Sequence, residues 1–191
     1  MAEDVHAHAD GDPACAVAHG AGPTPDEIAH GAVPAGPGDD RVLVAVFAGA
    51  VSEFLLRYAA DAGYQGVLVE PDEARAAAAR AAGFAVTGEV PAGLDDRADV
   101  VVTDHHRDEL GVALRDALAT KARWVGVMGN PRHEGPHVAA LAALGVTPAE
   151  VARVRRPIGL NIGSRTPPEI AISALAGLIA DRNSRPGGFA F

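Results

Sequence analysis

The sequence predicts an α/β fold: a doubly wound, mostly parallel sheet with extra C-terminal helices. Three observations predict it. From residue 41 onward, short Val- and Leu-rich runs alternate with alanine-rich segments of helical period, the pattern of repeated β–α units. The runs are apolar at successive positions, as parallel strands buried on both faces are. Apolar residues make up 48% of the chain and aromatics only 4%, so helices with small side chains can lie close to a sheet.

Taken in order, RVLVAVFAG (41–49) is the first strand. SEFLLRYAADAG (52–63) is a helix with Phe54, Leu55, Tyr58, Ala59 and Ala62 on one face, ending at Gly63. GVLVEP (66–71) is the second strand, and DEARAAAARAAG (72–83) a helix that opens on acidic residues and closes at Gly83. FAVTGEV (84–90) is a short third strand. ADVVVTD (98–104) is the fourth, followed by a helix in RDELGVALRDALAT (107–120). RWVGVMG (123–129) is the fifth strand and PHVAALAALG (136–145) a helix. Two further helices open on Thr147-Pro148-Ala149-Glu150 and Thr166-Pro167-Pro168-Glu169. In each, Thr caps, Pro takes the first helical position and Glu reaches back. The order of elements is Rossmann-like.

Residues 1–40 differ in composition, being rich in Ala, Gly, Pro, Asp and His. They predict a mobile lead-in to a domain at 41–183, with 184–191 as a tail. Thr24-Pro25-Asp26-Glu27 could start a short helix there, and His6, His8, His19 and His30 are expected to be solvated. A net charge of −9, with Lys121 the single lysine, argues against a nucleic-acid partner, although local arginines can hold a small anion. No apolar run reaches the ~20 residues that cross a bilayer, and no basic-then-apolar leader opens the chain. Cys15, the single cysteine, precludes an intrachain disulfide. A cytoplasmic protein without a membrane partner is expected.

HEGPH (133–137) matches the zinc-protease signature H-E-x-x-H. That motif needs a helix running through both histidines, so that they share one face. Pro136 opposes it, because proline inside a helix costs ~3 kcal/mol and drives Gly135 out of helical geometry. A helix started by Pro136 is the better expectation, and no metal site is predicted here.

Four places could carry chemistry. The turn after the first strand reads Ala48-Gly49-Ala50-Val51-Ser52-Glu53, with one glycine where a dinucleotide fingerprint needs three. Glu53 would bring negative charge to the phosphate position. Glu70 nevertheless ends the second strand, about the ~20 residues on where an acid meets a ribose. TDHHRDE (103–109) places Asp104, His105, His106 and Asp108 at the carboxyl end of the fourth strand, where open sheets bind ligands. Adjacent His105 and His106 side chains are expected to diverge, and Asp104 could merely cap the helix. GNPR (129–132) offers Gly129, Asn130 and Arg132 to an anion. RRPIGLNIGSR (155–165) offers Gly159, Asn161, Gly163, Ser164 and Arg165, with Thr166, ahead of a helix. Pro167 and Pro168 remove two N–H groups from that helix start.

RWVGVMGNPR followed by VARVRRPIGLNIGSRTPPEIA resembles the C-terminal Rossmann-like domain of the XdhC/CoxI family, the xanthine dehydrogenase accessory proteins. The family block Pro-Ile-Gly-Leu-x-Ile-Gly-x-Arg-Thr-Pro-x-Glu-Ile-Ala is matched almost throughout by Pro157–Ala171. VVVTDHHRDE resembles the family's Thr-His-Asp segment, and the likeness spans roughly 41–182. The resemblance implies a chaperone that binds molybdenum cofactor (molybdopterin) for maturation, sulfuration and insertion into an apo molybdenum hydroxylase. Its implied contacts are Gly129, Arg132, His105, His106 and the Gly159–Arg165 loop with Thr166. Three departures stand out. The first turn lacks the family's Gly-Ala-Gly-His-Val-Gly, Gly129-Asn130-Pro131 replaces Gly-Ser-Arg, and residues 1–40 do not hold the cysteine-bearing domain of longer members.

The sequence thus predicts an accessory protein without necessary catalysis of its own, binding an anionic pterin cofactor at the sheet's carboxyl edge. The alternatives are an NAD(P)-dependent oxidoreductase and a non-catalytic interaction domain that forms a homodimer.

Overall fold

The computed structural model describes residues 41–129 and 135–188. Five strands form one sheet: β1 (Val42–Val46), β2 (Gln65–Val69), β3 (Val86–Thr87), β4 (Ala98–Val102) and β5 (Trp124–Val127). They pair in the order β3-β2-β1-β4-β5. Every pairing is parallel, with Val44 of β1 opposite both Val67 of β2 and Val100 of β4. The described helices are α1 (Ala50–Asp61), α2 (Glu73–Ala81), α3 (Leu110–Ala119), α4 (Pro136–Ala143), α5 (Pro148–Val151) and α6 (Pro167–Arg182).

The continuous apolar runs now have their reason. Alternate side chains of one strand serve two different cores. Val44, Val46, Val100, Val102, Val125 and Val127 pack under α3 and Leu141 of α4. The intervening Leu43, Ala45, Leu68 and Val101 pack under α1 and α6. Full burial of a Val or Leu side chain contributes ~1.5–3 kcal/mol, so both helix layers are held by the same strands.

Each element expected beyond residue 41 is present, with differences at the ends. The sheet is wholly parallel. The helix expected from 107 starts at Leu110, because the Arg107 side chain is drawn to Glu70 and Glu109. Asp104 accepts the His106 N–H at 2.9 Å and so closes a turn instead of capping that helix. Pro136 opens α4, with Gly135 extended at φ −77° and ψ 127°. No helix therefore runs through HEGPH.

The sheet's two edges are short. β3 has two residues. Beyond β5, Arg155 forms an isolated parallel bridge to Gly126, donating its N–H to Val125 O at 2.9 Å and accepting that of Val127 at 3.1 Å. At the amino end of the sheet, Asp99 of β4 is fully buried. Arg123 and Arg182 each approach it at 2.8 Å, and Arg123 also reaches Asp181. Burial pushes the Asp99 carboxyl up against the pull of the two guanidiniums. The network ties the last turn of α6 to the sheet.

No described helix is long and apolar enough to cross a membrane. His6, His8, His19, His30, Cys15 and Thr24–Glu27 lie outside the described residues, as do Asn130, Arg132, His133 and Glu134.

Candidate functional site

In this strand order the chain leaves β1 toward β2 on one side and reaches β4 on the other. Such a reversal opens a crevice at the carboxyl ends of the strands. A cavity of about 280 Å³ occupies it, reached by Val51 from α1, Thr103 after β4, and Met128 and Gly129 after β5. His105, Ile158, Ser164 and Ile170 complete most of its wall, with Ser173 and Ala174 of α6 behind.

The ends of β1 and β4 are locked together beside it. The Thr103 hydroxyl lies 2.9 Å from Val46 O and 3.0 Å from Phe47 O. Phe47 stands at φ 73°, a region that costs a bulky residue about 1–3 kcal/mol. Its N–H bonds Val69 O at 2.8 Å and its ring lies beneath the Arg107 guanidinium, 4.8 Å away. These contacts hold the strained turn that feeds α1.

That turn satisfies its own donors. The Ala48 N–H donates to Glu70 Oε2 at 2.7 Å and the Gly49 N–H to the buried Ser52 Oγ at 3.0 Å. These are N–H groups at the place where a pyrophosphate approaches in dinucleotide-binding sheets. Glu70 also accepts the Asp72 N–H at 2.9 Å and pairs with Arg107 at 3.0 Å. Burial raises the Glu70 carboxyl, but Arg107 and the two backbone donors outweigh it and hold the group below its ordinary value. Glu53 turns along α1 to Arg57, 3.7 Å away.

The loop 157–165 forms the opposite wall because α6 grips it. The Leu160 N–H donates to Ser173 O at 3.0 Å, and the Ser173 hydroxyl donates back to Leu160 O at 2.6 Å. A Cβ on Gly159 would stand 2.5 Å from Ser173 Oγ, and one on Gly177 would stand 2.8 Å from Gly159 Cα. Two glycines thus let the loop lie directly on the helix. Asn161 and Gly163 are exposed beyond this contact.

The start of α6 is less open to anions than the sequence implies. Glu169 accepts the N–H of Arg165 at 2.8 Å and of Thr166 at 3.0 Å. With Pro167 and Pro168 lacking donors, the backbone there is engaged. The Arg165 side chain and Ser164 are what this end presents.

His105 faces the cavity and His106 is exposed, yet their rings do not diverge. The centroids are 4.0 Å apart, so the expectation of diverging neighbours fails. Burial, then the fields of His106 and Arg156, lower the His105 pKa against the opposing pull of Asp104. Arg156 lies across Gly129, where a Cβ would come within 2.5 Å of its Nε. The described residues hold no group of three His, Cys, Asp or Glu side chains placed for a metal.

Of the residues singled out from sequence, His105, Gly129 and Ser164 meet in one cavity. Gly49 is the N-cap of α1 and does not line the cavity, while Glu70 is turned toward Arg107. Thr103, Met128, Ile158, Ser173 and Arg156 were not singled out. Ser173 carries a legible signal, a hydroxyl inside the apolar run IAISALAGLIA. Met128 and Ile158 carry none, because an apolar cavity wall reads as core.

A model of the XdhC Rossmann domain matches residues 43–178. Uncharacterized protein YqeB of Escherichia coli (strain K12) is 35% identical over 97 residues, covering 50% of this chain and 18% of YqeB. A crystal structure of a xanthine dehydrogenase from Bacillus halodurans shares the fold, with a TM-score of 0.60 at 21% identity over 76% of this chain and 45% of that one. The chain spans less than half the length of either relative.

Proposed function

The chain belongs to the XdhC family through its Rossmann domain, and from that premise we propose that it is an accessory protein of a molybdenum hydroxylase, of xanthine or carbon monoxide dehydrogenase type. In this reading it holds molybdenum cofactor for maturation or insertion and meets the apo-enzyme to deliver it. The observation that carries the reading is the cavity at the carboxyl ends of the strands, lined by residues of α1 and residues that follow β4 and β5. One of its walls is the loop whose sequence carries the family block.

The wall suits a flat, polar-edged heterocycle. Val51, Met128, Ile158 and Ile170 supply apolar contact, and His105 and Ser164 supply polar atoms at the rim. The cavity, about 280 Å³, is at the low end for ligand sites; His105 and Ser164 would hold the pterin, and the exposed Arg165 would be available to its anionic group. Thr103 and Ser173 are bonded to backbone carbonyls and serve as walls, as a carrier requires. When bound, the cofactor supplies the molybdenum chemistry of the client enzyme, and this chain's residues hold and shield it.

The test is anaerobic calorimetric titration with molybdenum cofactor, with NAD⁺ and NADP⁺ in parallel. Cofactor binding that weakens in Arg165→Ala and His105→Ala supports the reading. Binding of a nicotinamide nucleotide alone replaces it with an oxidoreductase. Silence from all three leaves a protein-binding domain, for which a homodimer is the first form to seek.

A further inference from the structure

At the opposite end of β5 from the candidate site lies a second depression, about 310 Å³ in volume. Its walls come from the end of α3, the start of β5 and the segment after α5. Three arginines, Arg123, Arg153 and Arg155, line it, and no carboxylate does. In a chain with 25 acidic and 16 basic residues, such a concentration of one sign is a local exception to the overall field.

The three guanidiniums differ in how they are engaged. Arg123 is held by Asp99 and Asp181, and Asp99 is shared with Arg182. Arg153 places one nitrogen, Nη1, 3.2 Å from Leu118 O, at the negative end of α3, and keeps its remaining donors. Arg155 is exposed, and among the described residues its guanidinium has no carboxylate or carbonyl partner. Glu150, whose field reaches Arg153, is bonded to the Thr147 N–H at 3.0 Å and hydroxyl at 2.7 Å. Positive charge in the groove therefore exceeds the carboxylates committed to it.

The backbone fixes this arrangement. Val154 is buried, and Arg155 is bridged to β5 through its own N–H and C=O. Arg153 sits in the turn after α5, its N–H bonded to Glu150 O at 3.0 Å, and with Arg155 on the bridge both side chains reach the same depression. Two planar forks presented together from a braced backbone suit a tetrahedral oxyanion, which accepts paired N–H bonds from each. A concave site of this size favours a small ligand over an extended chain.

We propose that the Arg153–Arg155 groove is an anion site for a phosphate-bearing small molecule, separate from the cavity at the carboxyl ends of the strands. Arg155 and Arg153 make the contacts, and Arg123, fixed by Asp99, forms the floor. The proposal does not depend on the carrier reading.

The experiment titrates the full chain with inorganic phosphate and then pyrophosphate, following arginine Nε–Hε resonances by NMR. Both anions are expected to shift the Arg155 signal, pyrophosphate at lower concentration, with binding weakened by added salt. Arg155→Gln should reduce affinity about tenfold and leave the melting temperature unchanged, since its guanidinium has no partner to lose. Arg153→Gln tests the second contact and should weaken binding of both anions. The proposal is overturned if neither anion shifts the signal, or if Arg155→Gln binds as the parent does. A response to a glutamate-rich peptide without any response to the two anions also overturns it, in favour of a protein partner.

Discussion

Arg107 lies against Glu70 across the carboxyl end of the sheet, Nη2 to Oε1 at 3.0 Å and Nη1 to Oε2 at 3.3 Å. The carboxylate also receives the Ala48 and Asp72 N–H groups, so one buried side chain joins the ends of β1 and β2 to the segment before α3. Arg107→Ala leaves that carboxylate buried without its cation. A loss of about 3 kcal/mol is expected, read from the urea midpoint. A loss within experimental error would mean that the backbone donors alone suffice.

The same pair sets a pH dependence. The Glu70 carboxyl is held below its ordinary value of 4.5 in the folded chain. Its contribution is complete above that pH and disappears as pH falls through the lowered value. Stability curves of the parent chain and Glu70→Gln should therefore converge on acidification and separate toward neutrality. A constant gap between them would place the shift elsewhere.

Asp99 concerns the other end of the sheet. Asp99→Ala leaves Arg182 without its carboxylate and Arg123 with Asp181 alone, and should cost about 3 kcal/mol. The last turn of α6 should lose protection first, because Arg182 is its tie to β4. Hydrogen exchange localises the effect, and uniform deprotection of the whole chain would contradict it.

Gly159 and Gly163 separate two costs. Both have positive φ, 84° and 70°, but only at Gly159 would a Cβ collide with Ser173 and the α6 backbone. Gly163→Ala is expected to cost about 1 kcal/mol from backbone conformation alone. Gly159→Ala should cost about 1–3 kcal/mol more, from overpacking, and should move the loop off α6. Equal melting temperatures for the two variants would refute the tight contact.

His105 should titrate below its ordinary 6.5, since burial and then the fields of His106 and Arg156 lower it. Arg156→Gln removes one of those fields and should raise the midpoint, followed through the ring resonances by NMR. An unchanged midpoint would remove Arg156 from the surroundings of the cavity.

The order of strands and helices was legible because β–α alternation and the Thr-Pro-x-Glu starts are local signals. The start of α3 was not, since it depends on Arg107 reaching Glu70, 37 residues away. The candidate site divides in the same way. His105, Gly129 and Ser164 stand out as polar or small residues at strand ends and loops, and their neighbours Met128 and Ile158 are apolar in an apolar context. The role of Glu70 was misleading in sequence, because its position suits a ribose contact while its carboxylate is bonded to the chain itself. Adjacent His105 and His106 were expected to point apart, and only the turn closed by Asp104 brings their rings together.

The sheet also limits how copies of this chain can associate. One rim is a strand of two residues, and the other is covered at Gly126 by the Arg155 bridge. Among the described residues neither rim offers a long row of unpaired amides to template a sixth strand from another molecule. A pair formed from this domain would meet through helices or loops, and it would leave each sheet's hydrogen-bond ladder intact. The same economy guards against runaway strand-by-strand polymerisation, a hazard for a sheet whose central strands are mainly apolar.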